Sequence, residues 1–309
     1  MRRQLLIALC SFASLWTGSS TLADDTTERV AIRADWKVGD EIHLICDRVR
    51  EVREGDAAPT GGHSQTPATI RVMEKHEDGY LLRLQYGRTE MIPPDPKQSA
   101  SLNRVPQVPM IFLLSNDGAI VRLENWKEVR DGAVALVRST LQESGMPSEE
   151  IDATLKKTQG MYATQAQTTM MMTRDIAMYF YPIGIDIAAG EPLDTVGSIE
   201  NPFGGEPFPT RTRLMAKPIA NGKHQYRVTL ETKFDAEPCA RILLDSISQF
   251  AKKGAPRAEL PSRFDIEDHS EFVFDAERGW VVQGSHERKS VVNELRRLDR
   301  WEWKLDPTS

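Results

Sequence analysis

Three kinds of chemistry have candidate residues in this chain, and spacing sorts them. The first is soft-metal binding. Thr168 to Pro182 reads TTMMMTRDIAMYFYP, with four methionines and three aromatics in fifteen residues. Thioethers suit Cu(I). On a helix, however, only side chains three or four apart meet on one turn, and no two of Met170, Met171, Met172 and Met178 have that spacing. Met171 and Met178 share a face but lie about 10 Å apart along the axis, too far to hold one ion. The helical stripe is Tyr162, Ala166, Thr169, Met172, Thr173, Ile176 and Phe180, with Met171 and Met178 behind it. A helix apolar on two sides is either buried from two directions or lines a cavity. In the second case Met171, Met172, Ile176, Met178 and Phe180 are the candidate lining of an apolar-ligand site.

The second kind is carboxylate and metal chemistry. Asp265-Ile266-Glu267-Asp268-His269-Ser270-Glu271 reads as a strand, so Asp265, Glu267, His269 and Glu271 share one face at period two. Such a face could hold a hard or borderline divalent ion if a second element supplied ligands. It also fits the solvated side of an antiparallel strand, which is the preferred reading. No metal or other cofactor is expected. Gly284-Ser285-His286-Glu287 brings together residue types used in serine hydrolysis. Neighbours on a strand alternate faces, so these three cannot form a triad among themselves. Nucleophile-elbow, phosphate-loop and dinucleotide motifs are missing. Trp280, Trp301 and Trp303 could stack a sugar, but suit core packing in a β protein as well.

The third kind is thiol chemistry. The chain opens MRRQLLIALCSFASLWTGSSTLADD. A basic start, a short apolar run and Thr21-Leu22-Ala23 read as a secretory signal peptide over 1–23, cleaved near Ala23. The location implied is periplasmic or secreted. Cys46 and Cys239 remain after cleavage. In an oxidising compartment they can form a disulfide; otherwise they are two separate buried thiols. Cleavage removes two arginines and no acids, so the net charge moves from −6 to −8. That argues against a nucleic-acid partner. No later segment is long and apolar enough to be a membrane span.

The elements that must position these residues are mainly antiparallel strands. Residues 24–122 read as a first β-rich half. Ala68 to Glu74 and Tyr80 to Tyr86 pair across a turn ending at Gly79, and Met110 to Leu114 pairs with Ala119 to Leu123 across Ser115-Asn116-Asp117-Gly118. Glu54 to Gln65, rich in Gly and small polar residues, reads as a mobile loop. Residues 123–182 read as a helical insert, opened by an Asn125-Trp126-Lys127-Glu128 capping box and interrupted at Gly160. Residues 183–309 read as a second β-rich half. It holds hairpins over Thr210–Leu230 and Phe264–His286, a helix near 237–253, and a closing strand with Trp301, Trp303 and Leu305 on one side. The segment after Arg71 matches that after Arg213, and Phe112–Leu123 matches Phe272–Gly284, in the same order. This suggests an internal duplication.

Trp36-Lys37-Val38-Gly39-Asp40, the Gly79-Tyr80 hairpin, Ser115-Asn116-Asp117-Gly118, Tyr181-Pro182 and Gly190-Glu191-Pro192-Leu193 follow one another in an order that resembles a family of secreted bacterial proteins of unknown function. Gly190-Glu191-Pro192 departs from the Gly-Asp-Ser/Thr-Trp expected there. The resemblance implies a secreted β-rich scaffold with a helical insert, and no activity.

The expectation is thus an α+β fold: two similar antiparallel halves, as a curved open sheet or partial barrel, with a helical insert. A non-catalytic binding or scaffold protein of the bacterial envelope is favoured, capable of holding an apolar small molecule between sheet and helices. The alternatives are a secreted carboxylate- or metal-dependent hydrolase and an assembly protein acting on an envelope protein partner.

Overall fold

Alternation along the strands fixes one inward face, and a computed structural model shows how far it extends. The structure describes residues 28–103, 107–199, 201, 205–220, 224–250 and 261–307; the signal-peptide segment 1–23 lies outside them. In chain order the strands are β1 (Arg29–Ala31), β2 (Glu41–Glu54), β3 (Thr60–His76), β4 (Gly79–Tyr86), β5 (Glu90–Ile92), β6 (Met110–Ser115) and β7 (Ile120–Leu123). Then come β8 (Asp186–Ala188), β9 (Leu193–Ile199), β10 (Phe208–Pro218), β11 (Gln225–Phe234), β12 (Phe264–Asp275), β13 (Trp280–Val292) and β14 (Leu295–Leu305). A short helix α1 (Pro96–Leu102) follows β5. The insert is α2 (Trp126–Glu143), α3 (Ser148–Met161) and α4 (Gln165–Phe180), and α5 (Ala236–Phe250) follows β11.

The fold is α+β, as expected. Twelve strands form one antiparallel open sheet in the order β7-β6-β4-β3-β2-β14-β13-β12-β11-β10-β9, with β5 on β3 beside β4. It does not close into a barrel. β1 and β8 form a separate ribbon whose Val30 and Ile187, with Ile32 just after β1, enter the core. The two matched hairpin pairs occupy β3-β4-β6-β7 and β10-β11-β12-β13, and both series progress across the sheet in the same sense.

One helix shows that the sheet is curved. At its start, Gln165 Nε2 donates to the Leu123 carbonyl on β7, and Thr169 Oγ1 accepts from Leu123 N. At its end, the Tyr179 hydroxyl donates to the Val281 carbonyl on β13 at 2.7 Å. Six inter-strand steps separate β7 from β13, about 29 Å along a flat sheet. The helix covers only about 21 Å between residues 165 and 179. The sheet therefore bows around α4, which lies across its concave face as a chord.

Two apolar clusters fill that face. The larger surrounds Trp36, Phe112, Ile176, Tyr179 and Phe180. The smaller lies under α5 and holds Ile199, Phe208, Phe234, Cys239, Leu243 and Ile266.

Several local expectations need correction. Thr60 to Gln65 is strand, not loop: it pairs with β2 on one side and β5 on the other. Asn125 does not cap α2 with its side chain. Its amide instead ties the helix start to β6, accepting from Ile111 N and donating to the Pro109 carbonyl. The capping box belongs to α4, between Thr164 and Gln167. Helix α3 runs through Gly160, and the break comes at Tyr162. At the β6–β7 turn, Gly118 has φ +81°, and a Cβ there would sit 2.6 Å from the Phe180 carbonyl oxygen. Glycine is what lets this turn rest on the end of α4.

Candidate functional site

Strand register lines up charged side chains on the inner face. Asp268, Arg288, Asp299 and Arg50 stand directly opposite one another across β12, β13, β14 and β2. The next row is Ser270, His286, Trp301 and Arg48. Between the two apolar clusters, therefore, runs a polar band. Asp268, Ser270, His286, Arg288, Arg297 and Asp299 are all buried.

The pairing in this band is dense. Arg288 Nη2 and Asp268 form a close ion pair. Arg297 grips Asp299 with two nitrogens, one of them 3.0 Å from Oδ1, while Arg50 Nε donates to the same carboxylate at 2.9 Å. Burial alone would raise the Asp299 carboxyl, but Arg297 and Arg50 outweigh it and hold it below its usual range. His286 is hydrogen-bonded through Nδ1 to Ser270 Oγ at 2.9 Å. Burial pushes its imidazole down to about 4, so the ring is neutral at pH 7. Ser270 is fully buried. The pair therefore reads as a structural contact and not as an accessible nucleophile with its base.

Toward β2 the band opens to solvent. Arg48 and Arg50 side chains are 34% and 38% exposed. The Arg48 guanidinium lies 5.3 Å over the Trp301 ring and 3.4 Å from Asp175 on α4. Arg174 reaches the same Asp175 carboxylate at 3.1 Å. Desolvation works to raise Asp175, but Arg48 and Arg174 bring it below its usual range, and the nearby Trp301 N–H adds to the lowering. Trp301 Nε1 is buried and directed at that carboxylate, without a close hydrogen bond. Beside Arg48 lie the inward residues Cys46, Ser64, Thr66, Tyr86 and Met91, all half-buried. Burial raises the Tyr86 hydroxyl well above its usual range, with Cys46 and Asp175 adding to it.

The residues singled out from sequence fall in three places. Ile176, Met178 and Phe180 are buried in the larger cluster, where Phe180 meets Trp36 and Phe112 edge to face. Met172 packs at its margin, and Met171 is half-buried on α4. Trp280, Trp301 and Trp303 are core residues. Asp265, Glu267, His269 and Glu271 do share one face of β12, the outward one. Two of the acids there are already engaged across the strand, Glu267 with Lys233 at 2.7 Å and Glu271 with Arg227 at 3.3 Å. His269 lies 4.0 Å from Glu231. Among the described residues no group of three or more His, Cys, Asp or Glu is arranged to hold an ion.

Of the two readings open for the cysteines, the arrangement is that of separate thiols: Cys46 and Cys239 are both free. Cys46 lies on β2 at the margin of the larger cluster, and Cys239 lies on α5 inside the smaller one, with its Sγ 3.5 Å from the Pro209 carbonyl. The buried ladder was not anticipated. Asp268, Arg288 and Asp299 sit in charged segments that look like solvent faces, and only the register brings them together.

No family model and no curated protein matches this chain. Among solved structures, lipovitellin, described for its lipid–protein interactions, aligns with a TM-score of 0.48 and 8% identity over 88% of this chain. The chain spans 25% of the lipovitellin chain. DynF of the dynemicin biosynthesis pathway from Micromonospora chersina aligns at 0.21 and 4% identity, over 96% of this chain and 94% of its own. A Bacteroides fragilis protein described as exported, with a YmcC-like fold, aligns at 0.21 and 9% identity, over 86% and 96%. At these scores none carries a functional argument. No helix among the described residues is long and apolar enough to cross a membrane.

Proposed function

We propose that this chain is an exported, non-catalytic binding or scaffold protein of the bacterial envelope, holding an apolar molecule between α4 and the inner face of β2, β3 and β5. The observation that carries this reading is uneven cover on one face. Over β4, β6, β12, β13 and β14 the inward side chains are largely buried. Below the middle of α4 they are not: Cys46, Arg48, Ser64, Thr66, Tyr86 and Met91, with Met171 and Met172 above, remain half-buried. A filled core would bury such groups fully. Incomplete cover beside methionine and tyrosine suits an adaptable apolar contact.

The test is native mass spectrometry, with solvent extraction, of protein purified from its own cell envelope. A released non-covalent apolar molecule supports the reading. Protein that is consistently empty, and that gains no thermal stability from any added lipid, overturns it. The N-terminal sequence of the exported protein should begin at Asp24; an intact Met1 would overturn the export reading.

A further inference from the structure

We infer that the edge strand β9 pairs antiparallel with β9 of a second copy of this chain, Val196 facing the partner's Val196 across a two-fold axis. The inference goes beyond the apolar-ligand reading and does not depend on it.

The large sheet ends at β7, β5 and β9, and the first two edges are closed. β7 is four residues long and breaks register against β6 at Leu113/Leu114. Its Leu123 N–H and carbonyl are taken by Thr169 and Gln165 of α4. β5 is three residues long, and its Met91 N–H goes to Ser99 Oγ on α1 at 3.1 Å. Native sheets blunt their edges in such ways, because a free edge is a template for another strand. β9 lacks these devices: it is seven residues long and pairs with β10 without a bulge. Asp235 N donates to the Pro209 carbonyl at 3.1 Å, so the odd-numbered residues of β10 bond toward β11. Its even-numbered residues, from Phe208 to Leu214, then bond toward the odd-numbered residues of β9. The N–H and carbonyl groups of Asp194, Val196 and Ser198 therefore point off the sheet. Among the described residues nothing pairs with them. Their side chains are exposed, and Val196 is 81% exposed.

The residues of the strand select its occupant. With 194, 196 and 198 as the bonding set, an antiparallel copy aligns Val196 with the partner's Val196 and Asp194 with the partner's Ser198. Each of these pairs exchanges two backbone hydrogen bonds. On the other face Leu193 aligns with the partner's Ile199, and Thr195 with the partner's Gly197. No like charges stand opposite one another, which would disfavour the pairing. Asp194 is the one charged residue of β9, and Arg213 already holds it through two nitrogens at 2.8 and 2.9 Å.

The test is sedimentation of the chain lacking residues 1–23 over a concentration series. A reversible dimer is expected, with Kd on the order of 10 μM, because one strand pair falls below the standard interface size. Val196→Lys and Val196→Glu each set like charges face to face on the two-fold axis. Each should weaken the dimer about fivefold or more, with the thermal midpoint of the dilute protein unchanged. Mixing the two variants should restore dimers, since opposite charges then meet at that position. A chain that stays monomeric throughout the series overturns the inference. So does a dimer untouched by either substitution, which must form elsewhere. Variants that dissociate alone and stay dissociated when mixed overturn the two-fold register. A monomer that instead retains an envelope protein through the same Val196-sensitive edge assigns the edge to that protein and overturns the second copy.

Discussion

The Trp36 indole stacks on that of Trp280, with ring centroids 4.1 Å apart and planes 20° from parallel. Trp36 also meets Tyr80 edge to face at 5.0 Å, and its N–H donates to the Gly279 carbonyl at 2.8 Å. Tyr80 is on β4 and Trp280 on β13, four strands apart in the sheet. One side chain thus reaches strands about 19 Å apart on a flat sheet, so it helps hold the curvature that makes the inner face concave. Trp36→Ala is expected to cost about 3–5 kcal/mol, measured by urea denaturation. Trp36→Phe keeps most of the packing and loses the hydrogen bond, for about 1–2 kcal/mol. An alanine variant as stable as the parent would show that the curvature is held elsewhere.

The Asp268–Arg288 pair has side chains only 5% and 2% exposed. Removing one member leaves the other charged in a dry site. Asp268→Ala should therefore lose about 3–5 kcal/mol. Asp194→Asn offers the contrast: its partner Arg213 and Asp194 itself are 58% and 62% exposed, and solvent screens them. That change should leave the denaturation midpoint where it was. Equal losses from the two would contradict the buried-ladder account.

Stability should fall on acidification through His286. Its imidazole titrates near 4 in the folded chain, against 6.5 when unfolded, because burial disfavours the cation. The unfolded chain binds the extra proton first, so this contribution is complete above pH 6.5 and is lost as pH falls toward 4. At 1.4 kcal/mol per pH unit it amounts to about 3 kcal/mol. Asp268, Asp175 and Asp299 favour the cation and Arg288 opposes it, all less strongly than burial. His286→Gln should flatten the stability profile between pH 4 and 6.5. A profile unchanged by the substitution would remove His286 as its source.

Elements were legible where one local signal sufficed. Alternation ending at Gly79 and Gly118 located two hairpins, the run Phe264–His286 a third, and the segment near 237–253 was read as the helix that is α5. The segment 60–65 misled because its glycines and small polar residues mimic a loop, while two neighbouring strands supply its hydrogen bonds. The site was less legible than the fold. Period two correctly placed Asp265, Glu267, His269 and Glu271 together, and said nothing of Asp268, whose partner Arg288 is 20 residues away on the next strand. Arg50 meets Asp299 across 249 residues, through the junction of β2 with β14. A long-range register of that kind leaves no local trace in composition or spacing.

The cysteines were left undecided by sequence for a related reason: an even count permits a bridge, but pairing needs the thiols to meet. Cys46 and Cys239 belong to separate clusters, and burial pushes both thiols up to about 12, so at neutral pH almost no thiolate exists to react. In the chain lacking residues 1–23, a thiol reagent at pH 7.5 should label neither cysteine in the folded state. It should label two in denaturant without any reductant. Cys239→Ala should leave Cys46 just as inert and cost about 1–2 kcal/mol, from the cavity it opens under α5. A requirement for reductant before labelling would restore the bridge, and would mean that α5 can leave the smaller cluster to bring Cys239 to β2.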